Sequence, residues 1–133
     1  MQIMGILNFC GIEIFFIILI INSYGNTKKI LKSSKFVFRG GSLINHGGQN
    51  PIEVAYNNSL IFHGPHIQNF LEIYDFLKKE NIAFQINSEE ELVYKLNEKL
   101  NNYQNNNIKE KIIKKGNEIL LSTIKKLDQY IVD

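Results

Sequence analysis

This 133-residue chain contains few of the residues that stabilise small proteins by cross-linking or by restricting the backbone. It has one cysteine, two prolines and no tryptophan. The single thiol, Cys10, has no partner for an internal disulfide, and the paired Cys/His spacing of a zinc site is absent. Nothing in the sequence therefore points to an oxidising compartment. The fold must depend on its hydrophobic core, and 44% hydrophobic residues over this length suffice for one domain but not for two.

An excess of charge of one sign is also missing. The 15 Lys and Arg residues stand against 13 Asp and Glu residues, which gives a formal net charge of +2. The basic residues are spread from Lys28 to Lys126, whereas a dedicated nucleic-acid binder carries a concentrated basic face. We therefore expect no nucleic-acid partner.

Basic residues are absent before Lys28, although the first 21 residues are largely apolar. A signal peptide would need positive charge ahead of its apolar region. Gln2, Asn8 and Glu13 interrupt a run that is nearly as long as the about 20 residues of a membrane-spanning helix. The uninterrupted part, residues 14–21, is β-branched and aromatic, which predicts a strand buried on both faces in a parallel sheet. A membrane or interfacial segment is the alternative.

Short apolar runs alternate with helical patterns along the rest of the chain. Further strands are predicted at residues 35–38, 59–63 and 82–86, and helices at residues 26–34, 51–57, 69–80, 88–103 and 108–131. Strands and helices that take turns in this way indicate a parallel sheet covered by helices. The predicted fold class is therefore α/β, with a Rossmann-like domain over residues 14–103. A helix within residues 108–133 packs on the same domain, and residues 1–13 form an apolar segment without assignment.

Two of the predicted helices carry start signals. Ser88 with Glu91 matches the capping-box pattern, and Asn69 with Glu72 has the same spacing. The helix at 69–80 and the last helix both show the 3.6-residue periodicity of a buried face. The residues predicted to be buried are Phe70, Ile73, Tyr74 and Leu77 in the first, and Ile112, Ile113, Ile119, Leu120, Ile124, Leu127 and Ile131 in the second.

The stretch FRGGSLINHGGQNPIEVA, residues 38–55, places two glycine pairs between a strand and a helix. The pairs are Gly40-Gly41 and Gly47-Gly48. Glycine tends to lie where the chain must turn sharply or where something approaches the main chain closely. Because ligands bind beyond the carboxyl ends of parallel strands, this position favours a binding loop. Glycines that serve turns alone are the alternative.

The residues after the second pair favour an anion. Asn50 is a good N-cap, Pro51 suits the first helical position, and Glu53 falls at the third. Free N–H groups at such a helix start could hold a phosphate. Glu53 has two readings, because its carboxylate could complete a capping box with the Asn50 N–H or accept from ligand hydroxyls.

The three histidines are weaker candidates. His63 and His66, in HGPH, lack a third metal ligand nearby, so a turn fixed by Gly64-Pro65 is favoured and no metal is expected. His46 is interpreted as a loop residue or ligand contact, because no group that would orient it as a catalytic base can be identified.

Four motifs, taken in order, resemble the carboxyl-terminal domain of the 3-deoxy-D-manno-octulosonic acid (Kdo) transferases. They are GGSL at residues 40–43, HGGQNPIE at 46–53, GPH at 64–66 and the following Asn69-Phe70. Upstream, NSYGN at residues 22–26 lines up with a family segment similar to D-(S/T)-x-G-E. The resemblance covers roughly residues 18–100.

The resemblance implies the donor-binding half of a GT-B glycosyltransferase that transfers Kdo from CMP-Kdo to a lipid A precursor in lipopolysaccharide biosynthesis. Such an enzyme works at the cytoplasmic face of the bacterial inner membrane and needs neither a metal nor another cofactor. Helix dipole and backbone amides stabilise the departing phosphate instead. The matching motifs imply roles for seven residues of this chain. Gly40, Gly41 and Ser42 would line the donor pocket, and Gly47, Gly48 and Asn50 would hold the CMP phosphate or sugar. Glu53 would accept hydrogen bonds from ribose or Kdo hydroxyls.

The chain departs from the family pattern in three ways. Asn22 and Asn26 replace the acidic ends of the D-(S/T)-x-G-E segment. Arg39 replaces the apolar residue before GGSL and is either a misfit in a buried strand or an extra phosphate partner. The amino-terminal, acceptor-binding domain, which supplies the general base, has no room in this chain, so no catalytic residue is expected here.

Three hypotheses follow. The chain supplies the donor half of a Kdo transferase that acts beside an acceptor half, or it is a truncated remnant that at most binds nucleotide sugars. The third is a small interaction protein anchored to a membrane by its apolar amino-terminal run.

Overall fold

The computed structural model describes residues 3–8, 16–21, 27–103 and 107–131. Five strands and five helices occur in these residues. The strands are β1 (Ile3–Asn8), β2 (Phe16–Ile21), β3 (Ser34–Arg39), β4 (Leu60–His63) and β5 (Ala83–Gln85). The helices are α1 (Thr27–Ser33), α2 (Ile52–Tyr56), α3 (Leu71–Lys79), α4 (Glu89–Asn101) and α5 (Ile108–Ile131), with short 3-10 turns at Gly40–Ser42 and Gln68–Phe70.

The strands form one sheet in the order β2-β1-β3-β4-β5. Strands β3, β4 and β5 run parallel, and the helices between them make the crossovers. Strand β1 is antiparallel to both β2 and β3. The predicted α/β fold with a parallel sheet and flanking helices is confirmed, and an antiparallel hairpin extends it at one edge.

The strand predicted at residues 14–21 exists as β2, but its predicted surroundings were wrong. It lies at the edge of the sheet, pairs antiparallel with β1, and leaves Ile20 66% exposed. An apolar run shows that a segment is suited to a sheet, but not which neighbours it pairs with. Residues 9–15, which join the two strands, lie outside the described residues, as does the NSYGN segment at 22–26. In the described part of the chain, no helix is long and apolar enough to cross a membrane.

The pleat of the parallel strands divides the core into two faces. On one face, the rings of Phe36, Phe62 and Phe84 follow one another across the three strands, and Tyr103 packs edge-on against Phe36. The Lys99 ammonium lies over the Phe84 ring, so α4 covers this face. The other face is covered by α3, whose Tyr74 ring packs on His63. The remaining fully buried hydrophobic side chains of the core are those of Leu31, Val37, Val54, Ala55, Ile61, Leu77, Ile82, Ala83 and Ile108.

The two predicted start signals had different outcomes. Ser88 caps α4, because its hydroxyl accepts from the Glu91 N–H at 3.2 Å, and the Glu91 carboxylate accepts from the Asn87 N–H at 2.9 Å. The box predicted for Asn69 and Glu72 was wrong, since α3 begins after Phe70 without a side-chain cap. Asn69 lies in the preceding 3-10 turn, and its side chain is held against Gly47 instead.

The predicted burial of the α5 apolar stripe was also wrong. Only the start of the helix reaches the core, where Ile108 is buried and Ile112 is half-buried. The stripe residues beyond it are exposed, from 42% at Ile113 to 78% at Ile131. A 24-residue helix is about 36 Å long, so it extends past the small body on which its first turns pack. Periodicity shows which side of a helix is apolar but not what covers that side.

Candidate binding site at the carboxyl ends of the parallel strands

The glycine segment, residues 40–50, leaves the carboxyl end of β3 and lies beside the loop that leaves β4. Ser42 joins the two loops and is fully buried. Its hydroxyl donates to the Arg39 carbonyl at 2.5 Å and accepts from the Gly64 N–H at 2.6 Å, while its own carbonyl accepts from the His66 N–H at 3.0 Å. Both hydrogen bonds of the hydroxyl are therefore made inside the protein, and Ser42 holds the loops after β3 and β4 together.

Gly47 and Gly48 both adopt a left-handed conformation, with φ of +78° and +81°. They also approach the loop after β4 closely. A Cβ on Gly48 would lie 2.8 Å from the His66 carbonyl oxygen, and the Gly47 carbonyl accepts from the Asn69 N–H at 3.0 Å. The second glycine pair is thus required by backbone conformation and by close packing, as the turn interpretation predicted.

The carbonyl and N–H groups of residues 47–50 differ in their hydrogen bonding. The Gln49 carbonyl accepts from the Tyr74 hydroxyl at 3.2 Å, and the Asn50 carbonyl accepts from Arg39 Nη2 at 3.1 Å. Among the described residues, none of the four N–H groups at positions 47–50 has an acceptor. Three of the four carbonyls are bonded within the protein, whereas none of the four N–H groups is.

The Oδ1 of Asn50 accepts from the Ile52 N–H at 3.0 Å, although the residue at the N-cap of α2 is Pro51, one position after the predicted one. The helix has only five residues, however, so its dipole contributes little to anion binding. Glu53 is exposed, and no hydrogen bond joins its carboxylate to the Asn50 N–H, so the predicted capping box does not form. The carboxylate remains free for the other reading, a contact with ligand hydroxyls.

Asn50 and Glu53 line one cleft of about 440 Å³ between α1 and α2. The other residues that line it are Lys28, Lys32, Ile52, Tyr56 and Asn57. The five other predicted site residues, Gly40, Gly41, Ser42, Gly47 and Gly48, are not part of its lining. The structure thus brings two of the seven predicted residues into one cleft and places the second glycine pair next to it in the chain.

A buried polar cluster of Arg39, His63 and Tyr74 lies beneath the glycine segment. Arg39 and His63 are register partners at the ends of β3 and β4, so both point to the face that α3 covers. They are 5% and 3% exposed, and the Tyr74 ring centroid lies 4.4 Å from that of His63. Sequence reasoning flagged Arg39 but missed the cluster. Polar residues at the last position of two successive strands are the signal that could have found it.

Burial dominates the protonation behaviour of this cluster. Loss of solvation lowers the pKa of Arg39, whereas its interactions with Tyr74 and Glu53 act to raise that pKa. The same loss raises the pKa of Tyr74 to about 12, although the nearby guanidinium opposes the change. The pKa of His63 is lowered by burial, and its Nδ1 lies 2.7 Å from the Gly64 carbonyl oxygen. Because a carbonyl can only accept, Nδ1 carries the proton of a neutral ring.

The lowered pKa of His63 predicts a pH-dependent stability. The unfolded chain binds a proton near the ordinary value of 6.5, and the folded chain binds it only at lower pH. The free energy of unfolding should therefore fall as the pH drops from about 7 to about 5 and stay flat with respect to this group above that range. Chemical denaturation at several pH values measures the slope.

One variant tests the assignment to His63. His63→Gln should flatten the slope, because the variant has no imidazole to take up the proton on unfolding. Equal slopes in wild type and His63→Gln would contradict the assignment.

The described residues contain no group of three His, Cys, Asp or Glu side chains that could hold a metal ion. In HGPH, the Nδ1 of His63 is committed to the Gly64 carbonyl, and the His66 backbone is bonded to Ser42. These contacts fix a turn at the end of β4, in agreement with the favoured interpretation of this motif. His46 is an exposed loop residue.

The chain is similar to several characterised proteins, although no protein-family model matches it. It is 27% identical over 114 residues to a 3-deoxy-D-manno-octulosonic acid transferase of Aquifex aeolicus, an alignment that covers 86% of this chain and 31% of that protein. It is 30% identical over 100 residues to the transferase of the same name from Haemophilus influenzae, which covers 75% of this chain and 23% of that protein.

The same fold occurs in a solved structure. The C-terminal CMP-Kdo binding domain of WaaA from Acinetobacter baumannii superimposes with a TM-score of 0.58 at 26% identity, over 70% of this chain and 51% of that one. A bifunctional glycosyltransferase/methyltransferase of Fusobacterium nucleatum is 27% identical over 116 residues, which are 87% of this chain and 18% of that protein. This chain therefore spans less than a third of the length of each of these three curated relatives.

Proposed function

The chain is a homologue of the Kdo transferases, and we propose that it binds CMP-Kdo and forms the donor-binding half of a GT-B glycosyltransferase. The observation that carries this proposal is the row of four N–H groups at residues 47–50, which have no acceptor among the described residues. They lie at the carboxyl ends of the parallel strands, the position at which open α/β sheets bind ligands. The solved domain of similar fold is itself a CMP-Kdo binding domain.

We assign two roles to the seven predicted residues: some contact the ligand, and the others hold the loop in its conformation. In the proposed complex, the N–H groups of Gly47, Gly48 and Asn50 donate to the CMP phosphate, and Glu53 accepts from ribose or Kdo hydroxyls in the adjoining cleft. Gly40, Gly41 and Ser42 shape the turn that aims them. Backbone donors of this kind are roughly twice as strong toward an anion as toward a neutral acceptor.

The proposed chemistry is glycosyl transfer with CMP as the leaving group. Negative charge develops on the phosphate as the bond to the sugar breaks, and donors fixed in advance stabilise that charge without reorganisation. The acceptor in this proposal is a lipid A precursor, and the reaction belongs to lipopolysaccharide assembly at the cytoplasmic face of the inner membrane. The general base lies outside the described residues, in an acceptor-binding domain.

The proposal is tested by the effect of CMP on the stability of the purified chain. A ligand at about 100 times its dissociation constant adds about 2.7 kcal/mol to the free energy of unfolding. We expect millimolar CMP to raise the melting temperature, and cytidine, which lacks the phosphate, to raise it much less. Calorimetry gives both dissociation constants. No stabilisation by millimolar CMP would contradict donor binding.

A second candidate is a module that binds the nucleotide sugar without transfer activity. It shares the donor site and differs in one measurement. When this chain is mixed with the acceptor domain of a relative, CMP-Kdo and a lipid A precursor, the transferase predicts release of CMP, whereas the module predicts binding alone. The membrane-anchored interaction protein gains no support, because the apolar run contributes a strand of the sheet.

A further inference from the structure

Arg39 is an unusual residue to find inside this fold. It ends β3, is 5% exposed, and lies directly beneath the segment that carries the free N–H groups. Its Nη2 donates to the Asn50 carbonyl at 3.1 Å. The guanidinium thus contacts the last residue of the row through its carbonyl, in a peptide group whose nitrogen belongs to Pro51 and carries no hydrogen.

The charge of this guanidinium has no ion-pair partner among the described residues, because none of the four ion pairs found there includes Arg39. Its Nε is buried and has no hydrogen-bond acceptor. The guanidinium keeps its proton at all physiological pH values, so the fold carries a buried positive charge that the Glu53 carboxylate attracts without forming an ion pair. Such a charge is costly, and shape alone would be satisfied by an apolar residue of similar length.

Tyr74 extends this arrangement. Its hydroxyl donates to the Gln49 carbonyl at 3.2 Å, next to the Asn50 carbonyl that Arg39 holds. Two successive carbonyls are therefore bonded toward the buried cluster. In a trans peptide the N–H points away from the carbonyl, so the Asn50 N–H, which shares a peptide group with the Gln49 carbonyl, points away from the cluster. Since α2 is too short to supply a strong dipole, the buried guanidinium is a further source of positive potential near these N–H groups.

We infer that Arg39 is a positioning residue of the phosphate site, which fixes the Asn50 carbonyl and supplies positive charge beneath the N–H groups of residues 47–50. The inference rests on the proposed function and deepens it, because it names the group that makes the site select an anion. The charge of Arg39 acts on an anion and not on a neutral ligand, so its effect should depend on the phosphate and not on the nucleoside.

The test compares CMP and cytidine on the same variants. Arg39→Met removes the charge and keeps most of the side-chain length. We expect CMP to bind about tenfold more weakly and cytidine to bind within about twofold of wild type. An equal loss for both ligands, or no loss for CMP, would overturn the inference, since a purely structural role does not distinguish them.

A second variant covers the case in which Arg39→Met does not fold. Arg39→Lys keeps the positive charge, so it should retain the preference for CMP over cytidine within about threefold of wild type. A Lys variant that binds the two ligands equally well would overturn the inference. Failure of the proposed function is distinguished from this result, because in that case wild type itself binds no CMP.

Discussion

Replacing Gly64 with alanine is expected to lower the free energy of unfolding by about 3 kcal/mol, the upper end of the cost of overpacking. A Cβ at this position would lie 2.5 Å from the Ser42 carbonyl oxygen and 2.8 Å from its carbon. The backbone there cannot retreat without losing other contacts. The same Ser42 carbonyl accepts from the His66 N–H, and the Ser42 hydroxyl accepts from the Gly64 N–H.

Gly116→Ala is the matched control for this prediction. Gly116 lies inside α5, and an added Cβ there would meet no atom within 4 Å. Alanine should stabilise the helix by roughly 0.5–1 kcal/mol, because glycine loses more backbone freedom on folding. The same substitution thus has opposite signs at the two positions in urea denaturation. A Gly64→Ala protein as stable as wild type would show that the two loops are not in contact as described.

Gly48→Ala is expected to weaken CMP binding by about thirtyfold, or about 2 kcal/mol. Residue 48 has φ of +81°, which alanine adopts only with strain. Its Cβ would also lie 2.8 Å from the His66 carbonyl oxygen and 3.0 Å from the Ile67 Cα, and neither backbone atom can rotate away. The segment must shift, and the N–H groups at residues 47–50 then no longer point to one phosphate.

Isothermal calorimetry with CMP measures this loss, and circular dichroism checks that the variant is folded. Gly116→Ala, which lies far from the segment in sequence and on α5, should bind CMP as wild type does. A folded Gly48→Ala protein with unchanged CMP affinity would show that the conformation of the second glycine pair is irrelevant to the donor site.

Much of the fold could be predicted from the sequence, because apolar runs, turn residues and helix caps indicated the same elements. The apolar runs that became β3 to β5 are short and bounded by turn residues, and the Ser88 cap marks the start of α4 to the residue. Strand and helix alternate, so the parallel order follows from the handedness and shortness of crossover connections. The position of the glycine segment at the carboxyl end of β3 then follows from the topology alone.

The pairing at the edge of the sheet and the exposure of the far end of α5 could not be predicted from local sequence signals. Pairing of β1 with β3 is a contact between distant parts of the chain, and periodicity does not specify it. The apolar residues beyond Ile119 have the spacing of a buried face but cover nothing within the described residues, since Leu120 and Leu127 are 57% and 54% exposed.

The sequence drew attention to the main-chain features of the candidate site, which are its glycines and Asn50. It did not predict the buried side-chain cluster beneath them. Glycines and Asn50 are recognisable because each satisfies a local backbone requirement. The cluster of Arg39, His63 and Tyr74 depends on the register of β3 with β4 and on the packing of α3, which join residues far apart in sequence. Long-range register is therefore what places this polar cluster beneath the glycine segment.

The most direct test of the central claim is a titration of the ¹⁵N-labelled chain with CMP, followed by NMR. If main-chain N–H groups grip the phosphate, the amide signals of Gly47, Gly48, Gln49 and Asn50 should shift the most, and cytidine should leave them nearly unchanged. Shifts confined to other parts of the chain, or equal shifts with cytidine, would contradict the account.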